Sequence, residues 1–192
     1  MYSTVLAGAL ILSLGACKSK KGTPIEKTTG ASEISLPFSD GKYYSDKEFF
    51  RTKGSGNSVD LETSRKMALH NSRTALAQMI EGTIKSVTEQ YTNDRKIDKG
   101  GEFSKQFQET SRDVVNRQLS NVTVFDEKVF KETNGSFTYW VAIQADKESI
   151  LNGLARNISA NKKLEQDYDK KKFEEIFNSE MDKLAKERNG GN

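Results

Sequence analysis

A chain of 192 residues with 34% hydrophobic and 30% charged side chains has material for one modest core with long solvated helices, and not for two full domains. Its 30 Lys and Arg stand against 27 Asp and Glu, a net charge of +3 interspersed along the chain, so neither a nucleic-acid footprint nor a surface for acidic partners stands out. One histidine and one cysteine leave too few ligands for the usual zinc sites, and no Cys/His or Ser/His/Asp constellation is recognisable in the sequence.

Tyr2 to Ala16 carries no charged side chain and is rich in Leu, Ala, Val and Ile. That is the length and character of a secretory signal peptide, and it falls short of the roughly 20 apolar residues that span a bilayer. The run ends in Leu14-Gly15-Ala16-Cys17, similar to the lipobox of bacterial lipoproteins. Gly15 and Ala16 leave room for a signal peptidase beside the scissile bond. The Cys17 thiol can carry a diacylglycerol through a thioether, with an N-acyl chain such as palmitate on the freed amine. The expected division is a signal peptide over 1–16, a lipidated flexible linker over 17–42, a folded domain over 43–160 and a charged C-terminal helix and tail over 161–192. The linker is rich in Lys, Ser, Thr and Gly. Its Lys18, Lys20 and Lys21 follow the lipid site, where each could gain about 1 kcal/mol from anionic head groups.

Lys47 to Lys53 predicts a short first strand ended by a glycine turn at Gly54-Ser55-Gly56, whose two glycines permit a positive φ or a close backbone approach. The Gly-x-Gly lacks the Gly-Lys-Ser/Thr of a phosphate loop. Ser58 or Asp60 can cap the next helix. From Leu61 to about Tyr91, apolar residues from Ala68 to Val87 recur at steps of three and four, predicting a long amphipathic helix. Its small residues Ala68, Ser72 and Ala75 would let it lie close on a sheet.

Asn93 to Gly101 predicts a loop, and Glu102 to Ser120 a second helix with Phe103, Phe107, Val114, Val115 and Leu119 on one stripe. The period then becomes two. Val122 to Phe130 predicts a strand, Asn134-Gly135 a tight hairpin turn, and Phe137 to Ile143 the returning strand. In the latter, Phe137, Tyr139, Val141 and Ile143 share a face expected to cover the helices, and Trp140 points the other way. A third helical segment opens at Lys147. From Leu164 to Leu184 the pattern continues as a thin apolar stripe among many charges, which either extends past the domain or folds back over it.

The residues with chemical potential are few. His70 sits mid-helix as a structural or surface histidine. The paired carboxylates Asp126-Glu127, Asp167 with Asp169, and Glu174-Glu175 lie in charged stretches where nothing would raise a pKa, so they read as solvated faces. Asp94, Asp98 and Glu102 lack the spacing of a calcium loop. The candidate partner surface comprises Trp140, if its sheet face is uncovered, and Phe173, Phe177 and Met181 on the C-terminal stripe.

The order strand, Gly-x-Gly, long alanine-bearing helix, second helix, hairpin, helix, behind a lipobox, resembles the twenty-kilodalton lipoprotein family known as LPP-twenty. The likeness is carried by Phe50 to Gly56, by Arg65-Lys66-Met67-Ala68 through Arg73-Thr74-Ala75-Leu76-Ala77, by Ser111 to Val124 and by Tyr139-Trp140-Val141-Ala142-Ile143. It spans about half the chain, and the segment after Asn161 departs from a minimal version of the family. The resemblance implies an outer-membrane lipoprotein with a compact α+β domain and no catalytic residues; relatives are linked to envelope structure, host-facing antigens and flagellar disk assembly.

The expectation is therefore an α+β fold, a small antiparallel sheet packed against long helices with an extended C-terminal helix. It would be a non-enzymatic scaffold or binding module, without metal or cofactor other than the acyl chains on Cys17. It would be held on the periplasmic face of the outer membrane and joined to a protein partner or to itself, with no nucleic acid. A regulatory lipoprotein that stimulates a cell-wall synthase is the alternative. A small-ligand carrier, with a cavity lined by Met79, Val87, Phe107 and Val141, is a third.

Overall fold

The computed structural model describes residues 34–189, and the described residues from Ser35 onward form one compact unit. It is an α+β fold. Three antiparallel strands, β1 (Phe49–Ser58), β2 (Thr123–Lys131) and β3 (Phe137–Asp146), lie in the order β1-β3-β2. One face of the sheet carries the helices: α1 (Leu61–Arg95), α2 (Gly100–Ser120), α3 (Lys147–Ser159), the short α4 (Lys162–Glu165) and α5 (Lys170–Asn189).

The glycines of β1 do not turn the chain. The strand runs straight through Gly54 and Gly56, which pair with Val141 and Tyr139 of β3 and so face the helices. A methyl group on Gly54 would lie 2.5 Å from Ser72 Oγ and 2.7 Å from Ser72 N; one on Gly56 would lie 2.7 Å from Ala68 N and would meet Met67 Cβ and the Ser64 carbonyl. The missing side chains admit the backbone of α1, which presents its own small residues Ser64, Ala68 and Ser72 at intervals of four. Ala75, expected in that stripe, is half-buried at its border. Asp60 caps the helix by accepting from the Thr63 N–H at 2.7 Å.

The inward face of α1 is unusually polar, with Ser64, Ser72, Thr83, Thr88 and Thr92 all buried. Each hydroxyl returns its proton to a carbonyl one turn back: Ser72 to Ala68 at 2.8 Å, Thr83 to Met79 at 2.9 Å, Thr88 to Ile84 at 2.6 Å. Among the described residues no buried side-chain polar atom lacks a partner, so these hydroxyls pack as small apolar groups.

The hairpin turns at Gly135, whose φ of +86° suits glycine. On β3, Tyr139, Val141, Ile143 and Ala145 point into the main core, as the alternation predicts. The C-terminal stripe folds back. Phe173 and Phe177 are 0% exposed and Met181 1%, set among Phe50, Tyr91 and Phe107. Tyr91 holds the approach to α5: its hydroxyl donates to the Asp167 carbonyl at 2.7 Å and accepts from the Asp169 N–H at 2.6 Å. Phe173, Phe177 and Met181 are core residues and not a partner surface, because the apolar stripe of α5 is consumed by α1 and β1. The described residues beyond Asn161, α4 and α5, accordingly belong to the domain.

The close approach of β1 and α1 gives a sharp contrast between glycines. Replacing Gly56 by Ala forces backbone apart and should cost about 1–3 kcal/mol in urea denaturation. Gly82, on the exposed side of α1, has nothing within 4 Å of a built Cβ. Gly82→Ala should raise stability by about 0.5–1 kcal/mol through helix propensity.

Candidate functional site

The face of the sheet away from the helices carries Arg51, Lys53 and Ser55 from β1, Asp126, Lys128 and Phe130 from β2, and Thr138, Trp140, Ala142 and Gln144 from β3. It is not open, as the Trp140 expectation required. The segment just before β1, most of it placed by its composition in the linker that ends at residue 42, lies across it. Phe38 and Tyr43 are buried against Ala142, with Trp140 and Phe125 packed around them, and a single 3-10 turn at Gly41–Tyr43 bends the segment between the two rings. Trp140 is half-buried beneath this strap.

Polar contacts fix the strap at both ends. Tyr43 donates its hydroxyl proton to Asp126 Oδ2 at 2.5 Å, and Lys53 Nζ donates to the Phe38 carbonyl at 2.8 Å. Lys128 sits over the Phe38 ring at 5.4 Å and Lys42 over that of Tyr43 at 4.7 Å. Toward the start of β1, Asp46 bonds the guanidinium of Arg51 and accepts from the N–H groups of Glu48 and Phe49, each at 2.9 Å. The Tyr43 hydroxyl holds the Asp126 carboxyl below the usual carboxylate range, and the same bond pushes Tyr43 up. At Asp46 burial opposes the charge, but the Glu48 N–H, Arg51 and the Phe49 N–H outweigh it and lower the carboxyl. Burial pushes the Lys53 ammonium down.

The other residues singled out by sequence are dispersed. His70 is exposed on α1. Glu174 pairs with Lys170 at 3.6 Å, Asp169 with Arg95 at 3.7 Å and Asp94 with Lys172 at 3.5 Å, surface pairs of small energetic weight. Among the described residues no group of three His, Cys, Asp or Glu is placed to hold a metal ion, and no helix is long and apolar enough to cross a membrane. The four residues proposed to line a ligand cavity do not enclose one: Val87, Phe107 and Val141 are buried in the main core and Met79 packs on its margin. Two hollows of about 500 Å³ lie at the surface instead, one between β1, α1 and α5, the other between α1 and the end of α2. Leu14, Gly15, Ala16 and Cys17 lie outside the described residues.

Sequence reasoning missed the strap. Its signal was Phe38, Tyr43 and Tyr44, a run of large aromatics at the end of a polar stretch, which a solvated tether does not need. Comparison of the chain with protein-family models, with curated proteins and with solved structures gives no match.

Trp140, the sole tryptophan, reports on the strap directly. Asp126 has a lowered pKa in the folded chain, so its contribution to strap docking is present above the ordinary carboxylate pKa and is lost as pH falls through the folded value. Trp140 emission should therefore shift red on acidification below about pH 4, before helical circular dichroism falls. Asp126→Asn should flatten that shift, and Tyr43→Ala should give the red-shifted emission already at neutral pH.

Proposed function

We propose that this chain is a non-enzymatic lipoprotein of the outer membrane, held through acyl chains on Cys17 and acting as a binding or scaffolding module of the cell envelope. The observation that carries the reading is the sequence Leu14-Gly15-Ala16-Cys17 at the end of an uncharged apolar run, a processing and lipidation site with no other evident use. The architecture is consistent with it. The conspicuous aromatic side chains are spent on holding α5, and the polar groups of the outer sheet face on holding the strap. Such a chain offers a shaped, rigid body more readily than a reaction centre.

The strap also bounds how far that body stands from its anchor. Twenty residues, Lys18 to Pro37, separate Cys17 from the buried Phe38. Fully extended they span at most about 70 Å, at roughly 3.5 Å each. This favours a partner in the layer that holds the anchor over the alternative, a regulator reaching across the periplasm to a cell-wall synthase. A ligand carrier has the least support, because the interior is filled by side chains.

Cys17→Ser should transfer the protein from the membrane pellet to the soluble fraction of lysed cells and abolish incorporation of labelled palmitate. Sedimentation unchanged by the substitution defeats the lipoprotein reading.

A further inference from the structure

The two edges of the sheet are finished differently. Along β1 the free edge is closed by other parts of the chain: the Arg51 N–H donates to Ser45 Oγ at 2.9 Å, the Phe49 carbonyl accepts from the Asp46 N–H at 3.0 Å, and the Ser55 carbonyl accepts from Asn71 Nδ2 at 2.8 Å. Along β2 the one such contact among the described residues is internal, Glu127 N–H to the neighbouring Asp126 Oδ1 at 2.9 Å. The helices pack on β1 and β3, so β2 overhangs the helical layer. It leaves Val124, Val129 and Phe130 exposed by 37%, 51% and 45%. An open edge with apolar side chains is a template for another strand.

The pattern on that edge is self-complementary. A bulge at Phe125 interrupts pairing, and Asp126 to Lys131 then runs in regular register with β3. At the hairpin end the Glu132 N–H donates to the Ser136 carbonyl, so the residues bonded to β3 alternate back through Phe130, Lys128 and Asp126. Glu127, Val129 and Lys131 therefore turn their backbone groups outward, in agreement with the direction of the Glu127 N–H. Bringing a second β2 alongside, antiparallel, with Val129 opposite Val129, sets Glu127 of each copy opposite Lys131 of the other. On the outer face it sets Lys128 opposite Phe130. From Glu127 to Lys131 no like charges oppose one another; Asp126 falls opposite Glu132 just beyond that stretch, the one like-charge pair, and Glu127 also lies 3.8 Å from the Arg65 guanidinium of its own α1.

We infer that β2 is a homodimer edge: two copies of this chain join antiparallel through Glu127 to Lys131 into a continuous six-stranded sheet. The inference deepens the scaffold reading and takes its biological meaning from it, but the contact itself does not involve Cys17.

The test uses the full chain carrying Cys17→Ser, which removes the only native thiol. In this background Val129→Cys should form an intermolecular disulfide under mild oxidation, because paired antiparallel positions lie within disulfide range, whereas Asn57→Cys on the β1 edge should not. Equilibrium sedimentation should give the mass of two chains, halved by Val129→Pro, which removes an outward N–H that β3 does not use. Lys131→Glu should also halve it, and adding Glu127→Lys to Lys131→Glu should restore it. The proposal is overturned by a single-chain mass before any β2 substitution, by equal crosslinking at Val129 and Asn57, or by a charge reversal that the second reversal fails to repair. Should Val129→Pro unfold the chain, the charge pair decides alone. A chain that dimerises but stays membrane-bound without Cys17 would retain the interface and lose the lipoprotein reading. A monomer released by Cys17→Ser would do the reverse.

Discussion

The contact of β1 with α1 governs the rest of the molecule. A strand and a helix come close enough for backbone to touch backbone, because Gly54 and Gly56 supply no side chains and Ser64, Ala68 and Ser72 supply the smallest ones. That approach fixes the line of a 35-residue helix across the sheet. Everything packed on α1 follows: α2 along one flank, α5 along the other, and α3 against α2. It also sets which part of the sheet is left uncovered, since a helix drawn tightly onto β1 and β3 cannot also shelter β2.

A second constraint ties the C-terminus into the same core. Tyr91 lies near the end of α1, and its buried hydroxyl both donates to and accepts from the backbone that leads into α5. Its ring packs with Phe103, Tyr168 and Phe173, and the aromatic chain continues through Phe107 and Phe177 to Phe50 on β1. Helix α5 is rich in Lys and Glu, and packing of a narrow apolar stripe, more than propensity, holds such a helix in place. The stripe finds its surface within the same chain, so the association that an unpartnered stripe would have invited is not needed there.

On the opposite face the strap changes what the sheet offers. Phe38 and Tyr43 occupy the ground over Ala142 and beside Trp140, and Asp126, Lys53 and Lys128 hold them. The aromatic outer face is thereby spent internally. The opportunity for contact moves to the edge at β2, where backbone groups rather than side chains would do most of the joining.

The sequence by itself determined the element types and most of their order. Period-two alternation set the inward face of β3, Asn134-Gly135 set the hairpin, and the three-and-four spacing set α1 and α2, because these signals act over a few residues and need no distant partner. The proposed lipid site at Cys17 rests on sequence alone, since a peptidase would read it as a local string. Tertiary structure decided the destinations. Gly54 and Gly56 read as a turn ending the strand until α1 is set against them and shows them to be a site of close approach. The hydroxyls of Ser72, Thr83 and Thr88 can lie on the buried face of α1 because each bonds a carbonyl of its own helix. Phe173, Phe177 and Met181 looked available until α5 was folded back, and Phe38 looked like tether until the sheet lay beneath it. In each case the side chain's chemistry is local, but its burial depends on what a segment tens of residues away brings to meet it.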